Sequence, residues 1–94
     1  PELARNVILD GAGFSRAFES RSEAMIAGEH DTVRGAVDIF VNDLGLVTEL
    51  AKAHDLPTPL ADAPLEQFQS ATKNRLGRKD CAAALNVYQS TKRA

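Results

Sequence analysis

A glycine-rich segment near the start of the chain is the first candidate for chemistry. Gly11-Ala-Gly13 follows an apolar run and precedes a predicted helix, the setting in which a G-x-G-x-x-G loop holds a pyrophosphate. Arg16 stands where the third glycine is needed for close helix–strand packing, no second strand follows, and no acidic residue ends a strand about 20 residues later. We therefore interpret the two glycines as helix breakers.

Two charged residues fall on faces that are otherwise apolar. Arg21 projects from the middle of an arc that contains Phe14, Phe18 and Met25. Asp43 projects inside an arc on the next helix, made by Ile39, Leu46, Val47 and Leu50. Unpaired charges are not stable on buried faces, so these two either pair or line a cleft or interface. We expect Asp43 to be at least half buried and to accept a charge-assisted hydrogen bond from Arg21 or from backbone amides at a helix N-terminus.

A polar stripe runs along the helix that carries Asp43. It consists of Asp38, Asn42 and Glu49, and it is either a solvated face or a ligand-facing one. Gly45 lies in the middle of the same helix, where glycine costs about 1 kcal/mol relative to alanine. Close approach of another element or of a ligand would explain it.

Other candidates carry weaker signals. The segment 73–79 holds four cations without interleaved aromatic residues, which favours a solvated loop over a phosphate site. His30 and His54 are far apart and show no metal-binding spacing. Cys81 lies in the first turn of a helix without a nearby histidine, so a small core residue is its default role.

Five helices are predicted to position these residues, over about 2–10, 14–27, 33–54, 59–75 and from 81 onward. Pro64 predicts either a kink in the fourth helix or a late start near Ala63. Two neighbouring apolar stripes on the third helix cover roughly 240° of its circumference, which predicts a central place in the core. The first stripe is Val37, Phe40, Val41, Leu44, Val47 and Ala51, and the second is Ile39, Leu46, Leu50 and Ala53.

Individual residues predict where these helices begin and end. Gly28 and Gly77 are expected to end the second and fourth helices. Asp31 or Thr32 is expected to cap the third and Thr58 the fourth. Asp80 is expected to cap the last helix, whose apolar face would hold Cys81, Ala84, Leu85 and Tyr88 and whose C-terminal dipole suits Lys92 and Arg93.

The composition limits the class of protein. The 94 residues carry 11 basic and 13 acidic side chains, for a net charge of −2, so nucleic acid is not an expected partner. Alanine (15) and leucine (10) outnumber valine (6) and isoleucine (3), which favours helices. One cysteine excludes an internal disulfide, and no membrane span or signal peptide is expected. Pro1 suggests a processed chain or a fragment.

Several segments, in order along the chain, resemble the β-hydroxyacid dehydrogenases, the 3-hydroxyisobutyrate dehydrogenase-like family. The run 36–47 (AVDIFVNDLGLV) resembles the family's K-D-L-x-L-A helix, most closely in its threonate dehydrogenase-like members. Residues 18–21 (FESR) resemble F-E-N-R, and 25–29 (MIAGE) resemble M-x-x-G-D. Residues 56–60 (LPTPL) resemble the P-L-P-L linker, and 76–80 (LGRKD) with Ala83 and Tyr88 resemble the final G-x-x-D-x-S-A segment.

The resemblance implies site residues. Asn42 stands where the family has the K-D-L lysine that contacts the cofactor, and Asp43 matches the family's acid, so both are implied cofactor-binding residues. Gly35 stands where many relatives place a pocket-lining Phe, and Gly35 and Asp38 are implied substrate-binding residues. Asn42 cannot supply the lysine's charge, which implies a divergent or inactive parent protein.

The resemblance also implies an all-α bundle of about five helices over 1–94, the C-terminal domain of a 6-phosphogluconate dehydrogenase-like fold, with the N-terminal Rossmann domain absent. The parent would be a cytoplasmic NAD(P)-dependent 2- or 3-hydroxyacid dehydrogenase using NAD or NADP, with an absent lysine as general acid–base. This domain would close the active site and pair subunits in a homo-oligomer. The fragment alone is expected to bind no cofactor and to be inactive. The alternative is a stand-alone helical interaction module without catalysis.

Overall fold

The computed structural model describes residues 1–91, and over this range the chain is helical without a strand. The helices are α1 (Glu2–Asp10), α2 (Arg16–Ala27), α3 (Val37–Ala53), α4 (Pro59–Lys73) and, after a 3-10 turn at Cys81–Ala84, α5 (Leu85–Thr91). The predicted all-α fold of about five helices is confirmed. None of these helices is long and apolar enough to cross a bilayer.

The boundaries of α2 follow from local capping. The Ser15 hydroxyl accepts a hydrogen bond from the Phe18 amide at 2.9 Å, so the helix begins two residues after the predicted Phe14. Gly28 ends it in the left-handed region at φ 68°, where a side chain would be strained. The prediction that Gly28 ends the second helix is confirmed.

Helix α3 begins at Val37, four residues later than the predicted Val33. The segment before it is held in a non-helical form by residues 77–81, so neither Asp31 nor Thr32 caps the helix. The first α3 amides instead donate to backbone carbonyls, Val37 to Lys79 at 3.0 Å and Asp38 to Gly77 at 2.9 Å. These long-range bonds satisfy amides that would otherwise lack partners.

Helices α3 and α4 form an antiparallel pair around a small core. The Phe40 and Phe68 rings stack with centroids 5.1 Å apart, which joins the start of α3 to the end of α4. Val37, Ala71 and Val87 are buried together, with Val41, Phe68 and Leu76 packed against them. The core is therefore built mostly from small and medium side chains.

Helix α4 begins at Pro59 and contains Pro64, so the late start is not needed. Thr58 precedes the helix, but its hydroxyl donates to the Asp62 carboxylate instead of capping an amide. At the other end Arg75 adopts φ 66°, and the Leu76 amide donates to the Ala71 carbonyl at 3.0 Å. Packing of Leu76 against the core stabilises this end, so Arg75 takes the place predicted for Gly77.

The last segment starts as a 3-10 turn and continues as α5. Asp80 caps it as predicted, accepting from the Ala82 amide at 3.1 Å. Because the first turn is tighter than an α-helix, the apolar face is shifted: Val87 is buried and Tyr88 is 54% exposed. The predicted basic end at Lys92 and Arg93 lies outside the described residues.

Candidate functional site

Two loops that are far apart in sequence are joined by hydrogen bonds. We call these loops, residues 29–36 and 77–80, the loop pair. The Asp80 amide donates to the His30 carbonyl at 3.1 Å, and the Cys81 amide donates to the Gly35 carbonyl at 2.7 Å. An antiparallel bridge links Ala36 to Asp80. The Lys79 ammonium also pairs with Asp31. The loop pair thus ties the start of α3 to the start of the last helical segment.

Asp80 is the acceptor at the centre of the loop pair. Its side chain is almost fully buried, with 2% of the residue exposed. Oδ1 accepts from the amides of Arg34 at 2.9 Å and Gly35 at 3.2 Å. Oδ2 accepts from the Ala82 amide and lies 3.5 Å from Nε of Arg21. Both carboxylate oxygens therefore have partners, as a buried charge requires.

The electrostatics of this pair favour the ionised forms. Burial by itself raises the pKa of Asp80, but the hydrogen bonds from the three amides and the charge of Arg21 outweigh burial and hold that pKa below its ordinary value. The pKa of Arg21 is raised, first by its hydrogen bond to Cys81 Sγ at 3.3 Å and also by Asp80. The interior of the fold thus contains a compensated ion pair.

The predicted pairing of Arg21 with Asp43 is wrong, because Asp80 is the partner of Arg21. Both alternatives offered for Asp43, a cation and backbone amides, are found together at Asp80 instead. The sequence identified Asp80 only as a helix cap. The oxygen of Asp80 that caps the helix, Oδ2, also lies beside Arg21 of α2. The sequence pattern does not show this second contact.

Asp43 is exposed, so the predicted half-burial is also wrong. The arc around it is the one that was predicted, but nothing in the described chain covers it. Ile39, Leu46, Val47 and Leu50 are 50–64% exposed. We call these four side chains together with Asp43 the α3 outer face. The second stripe of α3 is therefore exposed at Ile39, Leu46 and Leu50, while the first stripe is buried at Val37 and Ala51 but half exposed at Val47.

The two implied cofactor-binding residues lie side by side on this helix. The Asn42 side-chain amide donates to Asp43 Oδ1 at 3.3 Å, and both residues are exposed. Gly45 lies one turn further on, and a Cβ there would have no atom within 4 Å. Close approach within the described chain therefore does not explain Gly45, which leaves space on this side of α3.

The two implied substrate-binding residues lie in different surroundings. Asp38 accepts a hydrogen bond from the Thr72 hydroxyl at 3.2 Å and lies against Gly77, on the α4 side of α3. A Cβ at Gly35 would lie 3.2 Å from the Phe40 ring and 4.0 Å from the Arg21 guanidinium. Phe40 therefore lies against the place where a side chain at 35 would begin. The structure joins Asn42 to Asp43 but does not join Asp38 to Gly35.

The residues present can meet only part of a nicotinamide cofactor. Gly11 and Gly13 follow a helix, not a strand, and precede the Ser15 cap, so they do not form a pyrophosphate loop. Asn42 and Asp43 offer a neutral amide and a carboxylate, which suit a carboxamide or ribose hydroxyls but not phosphates. The donor set is therefore chemically compatible with the nicotinamide riboside half, and the described residues provide no loop for the pyrophosphate.

The described part of the chain contains no group of three or more His, Cys, Asp or Glu side chains that could hold a metal ion. His30 is buried, with Nδ1 lacking a hydrogen-bond partner, and His54 is exposed at the end of α3. Cys81 is half-buried as a free thiol.

The fold matches a helical domain of known dehydrogenases. A crystal structure of 3-hydroxyisobutyrate dehydrogenase from Salmonella typhimurium superimposes with a TM-score of 0.86 at 40% identity, over 92% of this chain and 30% of that one. A family model described as the NAD-binding of NADP-dependent 3-hydroxyisobutyrate dehydrogenase matches residues 1–88. The chain belongs to this family, and the sequence resemblance is confirmed.

Curated relatives agree with the assignment. L-threonate dehydrogenase of Escherichia coli K12 is 41% identical over 87 residues, which are 93% of this chain and 28% of the relative. The 2-(hydroxymethyl)glutarate dehydrogenase of Eubacterium barkeri is 29% identical over 89 residues, 95% of this chain and 30% of the relative. The chain thus spans under a third of the length of these relatives.

Proposed function

We propose that the chain is the helical C-terminal domain of a cytoplasmic NAD(P)-dependent 2- or 3-hydroxyacid dehydrogenase, and that its α3 outer face closes the active site against the rest of the enzyme. The observation that carries this proposal is the exposed apolar stripe with an acid at its centre. Ile39, Leu46 and Leu50 are 55–64% exposed, and a contiguous apolar stripe of this kind marks an interface.

The α3 outer face combines one carboxylate, that of Asp43, with apolar side chains that surround it. Such a face can bury a single polar contact within an apolar interface. The cofactor, when bound, supplies the hydride acceptor or donor. Asp43, surrounded by apolar side chains, would lose water on closure, and its carboxylate would then need a donor from the covering surface. Asn42 would orient Asp43 through the 3.3 Å hydrogen bond. The proposed contribution of this chain is therefore to exclude water and to position a hydrogen-bond acceptor.

Covering of the same helix would also explain Gly45. A glycine in mid-helix is unfavourable by about 1 kcal/mol, and within the described chain no atom lies within 4 Å of its would-be Cβ. A backbone or cofactor from the missing two-thirds of such an enzyme can approach there closely. Subunit pairing is the second proposed role, supported by the amount of apolar surface that remains exposed.

A chimera tests the proposal. The matching helical domain of the E. coli K12 L-threonate dehydrogenase is replaced by this chain, and formation of reduced nicotinamide from L-threonate is followed. We expect turnover to be retained and Asp43→Asn to lower kcat/KM at least tenfold, equivalent to about 1.4 kcal/mol. Glu49→Gln, on the polar stripe, is the matched control and should change little.

A second experiment uses Asn42, which stands where the family has a lysine. Asn42→Lys in the chimera should lower the KM for the cofactor, since a cation there can form charge-assisted hydrogen bonds. A folded chimera that lacks turnover even with Asn42→Lys, or equal effects of Asp43→Asn and Glu49→Gln, would favour the stand-alone interaction module instead.

A further inference from the structure

A polar cleft beside the loop pair has no role in the function proposed above. It has a volume of about 410 Å³ and lies between α2 and residues 29–34. Ala24 and Ala27 provide small side chains that leave it open, while Arg21 and Asp80 form its inner wall and Arg34 lines it from the loop. Clefts of a few hundred cubic ångströms are of the size that holds small molecules.

The acidic side chains that line this cleft already have partners. Glu29 Oε1 accepts from the amides of Asp31 at 2.6 Å and Thr32 at 2.8 Å, and these bonds lower the pKa of Glu29. Glu23 lies 3.4 Å from the Arg5 guanidinium. Asp80 is engaged by three amides and by Arg21, as described above. The carboxylates are therefore compensated within the fold.

Arg34 is the exception among the charged groups of the cleft. Its backbone amide is fixed by Asp80 Oδ1 at 2.9 Å, but within residues 1–91 no acceptor lies within hydrogen-bonding distance of its guanidinium. Its main chain is thus held rigidly while its five donors remain available. A guanidinium presented from a fixed backbone matches the two oxygens of a carboxylate or phosphate.

We propose that this cleft binds a small organic oxyanion, a carboxylate or a phosphate ester, with the anionic group on the Arg34 guanidinium and the carbon portion against Ala24 and Ala27. The site is independent of the α3 outer face, because its lining comes from α2, the loop and Asp80. The hydrogen bonds that hold the backbone of residues 31–35 reduce the ordering that binding requires. The ligand would therefore bind without rearrangement of the loop pair.

Titration of the 94-residue chain with sodium malonate, and separately with inorganic phosphate, tests this site at constant ionic strength set with chloride. Amide chemical shifts from ¹H–¹⁵N spectra are the readout. We expect saturable shifts grouped at residues 20–34, with a dissociation constant of about 1 mM, the order given by a bidentate pair of charge-assisted hydrogen bonds. Arg34→Gln should weaken binding at least tenfold, and Ala24→Leu should do the same by filling the floor.

Arg78→Gln provides the matched control, because Arg78 is exposed and lies outside the cleft. It should leave the dissociation constant unchanged. Saturation by malonate alone or by phosphate alone supports the site and identifies the oxyanion. Scattered, non-saturating shifts, or equal losses in Arg34→Gln and Arg78→Gln, would overturn the proposal. Arg34 contributes only its backbone to the loop pair, so the variant's spectrum away from 20–34 verifies its fold.

Discussion

Replacement of Asp80 by alanine is expected to destabilise the fold by about 3–5 kcal/mol, the range for removing one partner of a buried ion pair. The variant leaves three amides without their acceptor, those of Arg34, Gly35 and Ala82. It also removes the charged partner of the Arg21 guanidinium, which keeps only its neutral hydrogen-bond partners. Each hydrogen bond to a charged group is worth roughly 1.5–3 kcal/mol. These losses share one carboxylate and are therefore not additive.

The asparagine variant separates the two oxygens. With its carbonyl at the Oδ1 position, Asp80→Asn keeps the acceptor for the Arg34 and Gly35 amides. Its NH₂ group would then face the Ala82 amide and Arg21, which are also donors. We expect Asp80→Asn to lower the free energy of unfolding by about half as much as Asp80→Ala does.

Urea denaturation followed by far-UV circular dichroism measures both variants. Asp31→Ala is the matched control, since it removes the exposed partner of Lys79 in the same loop pair, and it should leave the urea midpoint nearly unchanged. A loss under about 1 kcal/mol for Asp80→Ala would refute the reasoning, because that is the value of a single ordinary hydrogen bond.

The pH dependence gives a second readout of the same carboxylate. The pKa of Asp80 is lower in the folded chain than its ordinary value of about 3.9 in an unfolded one. Between these two values the unfolded state binds more protons, so stability falls as the pH falls. The contribution is complete above about pH 4 and is lost as the pH drops through the folded pKa. Asp80→Asn should flatten this part of the profile.

Three further outcomes are expected. Gly77→Ala should cost about 1 kcal/mol in urea denaturation, because the new methyl would lie 2.8 Å from the Asp38 carboxyl carbon and displace it from Thr72. Gly45→Ala should stabilise the isolated chain by up to about 1 kcal/mol, and should lower turnover in the chimera if another element packs there. Sedimentation equilibrium should show self-association of the isolated chain, weakened by Leu46→Lys on the α3 outer face and unaffected by Glu49→Gln.

Local signals in the sequence are sufficient for most helix boundaries. The bounds of α1 agree with the prediction, because the glycines at 11 and 13 follow it directly. Gly28 and Asp80 act as predicted because an end glycine and a capping carboxylate need only neighbouring residues. These features depend on backbone geometry within one turn of the chain, which the sequence contains.

Long-range contacts account for the start of α3, the boundary that the sequence missed by the most residues. Helix α3 starts at Val37 because Lys79 and Gly77, about 40 residues away, supply carbonyl acceptors for its first amides. Gly77 was predicted as a helix terminator, whereas its small size serves the close approach of Asp38. Capping rules consider only nearby side chains, so they place the start of α3 too early.

Asp43 illustrates the limit that matters most for the site. Periodicity correctly placed it among Ile39, Leu46 and Leu50, but periodicity shows only that a face avoids water, not which molecule covers it. Helix α4 covers one side of α3, and the small core around Val37 leaves the other side exposed. The relatives are more than three times as long as this chain, and the proposed function assigns the covering of this face to residues outside the chain. If those residues cover Asp43, the donor that its carboxylate then requires lies outside these 94 residues, whereas the donors for Asp80 lie inside them.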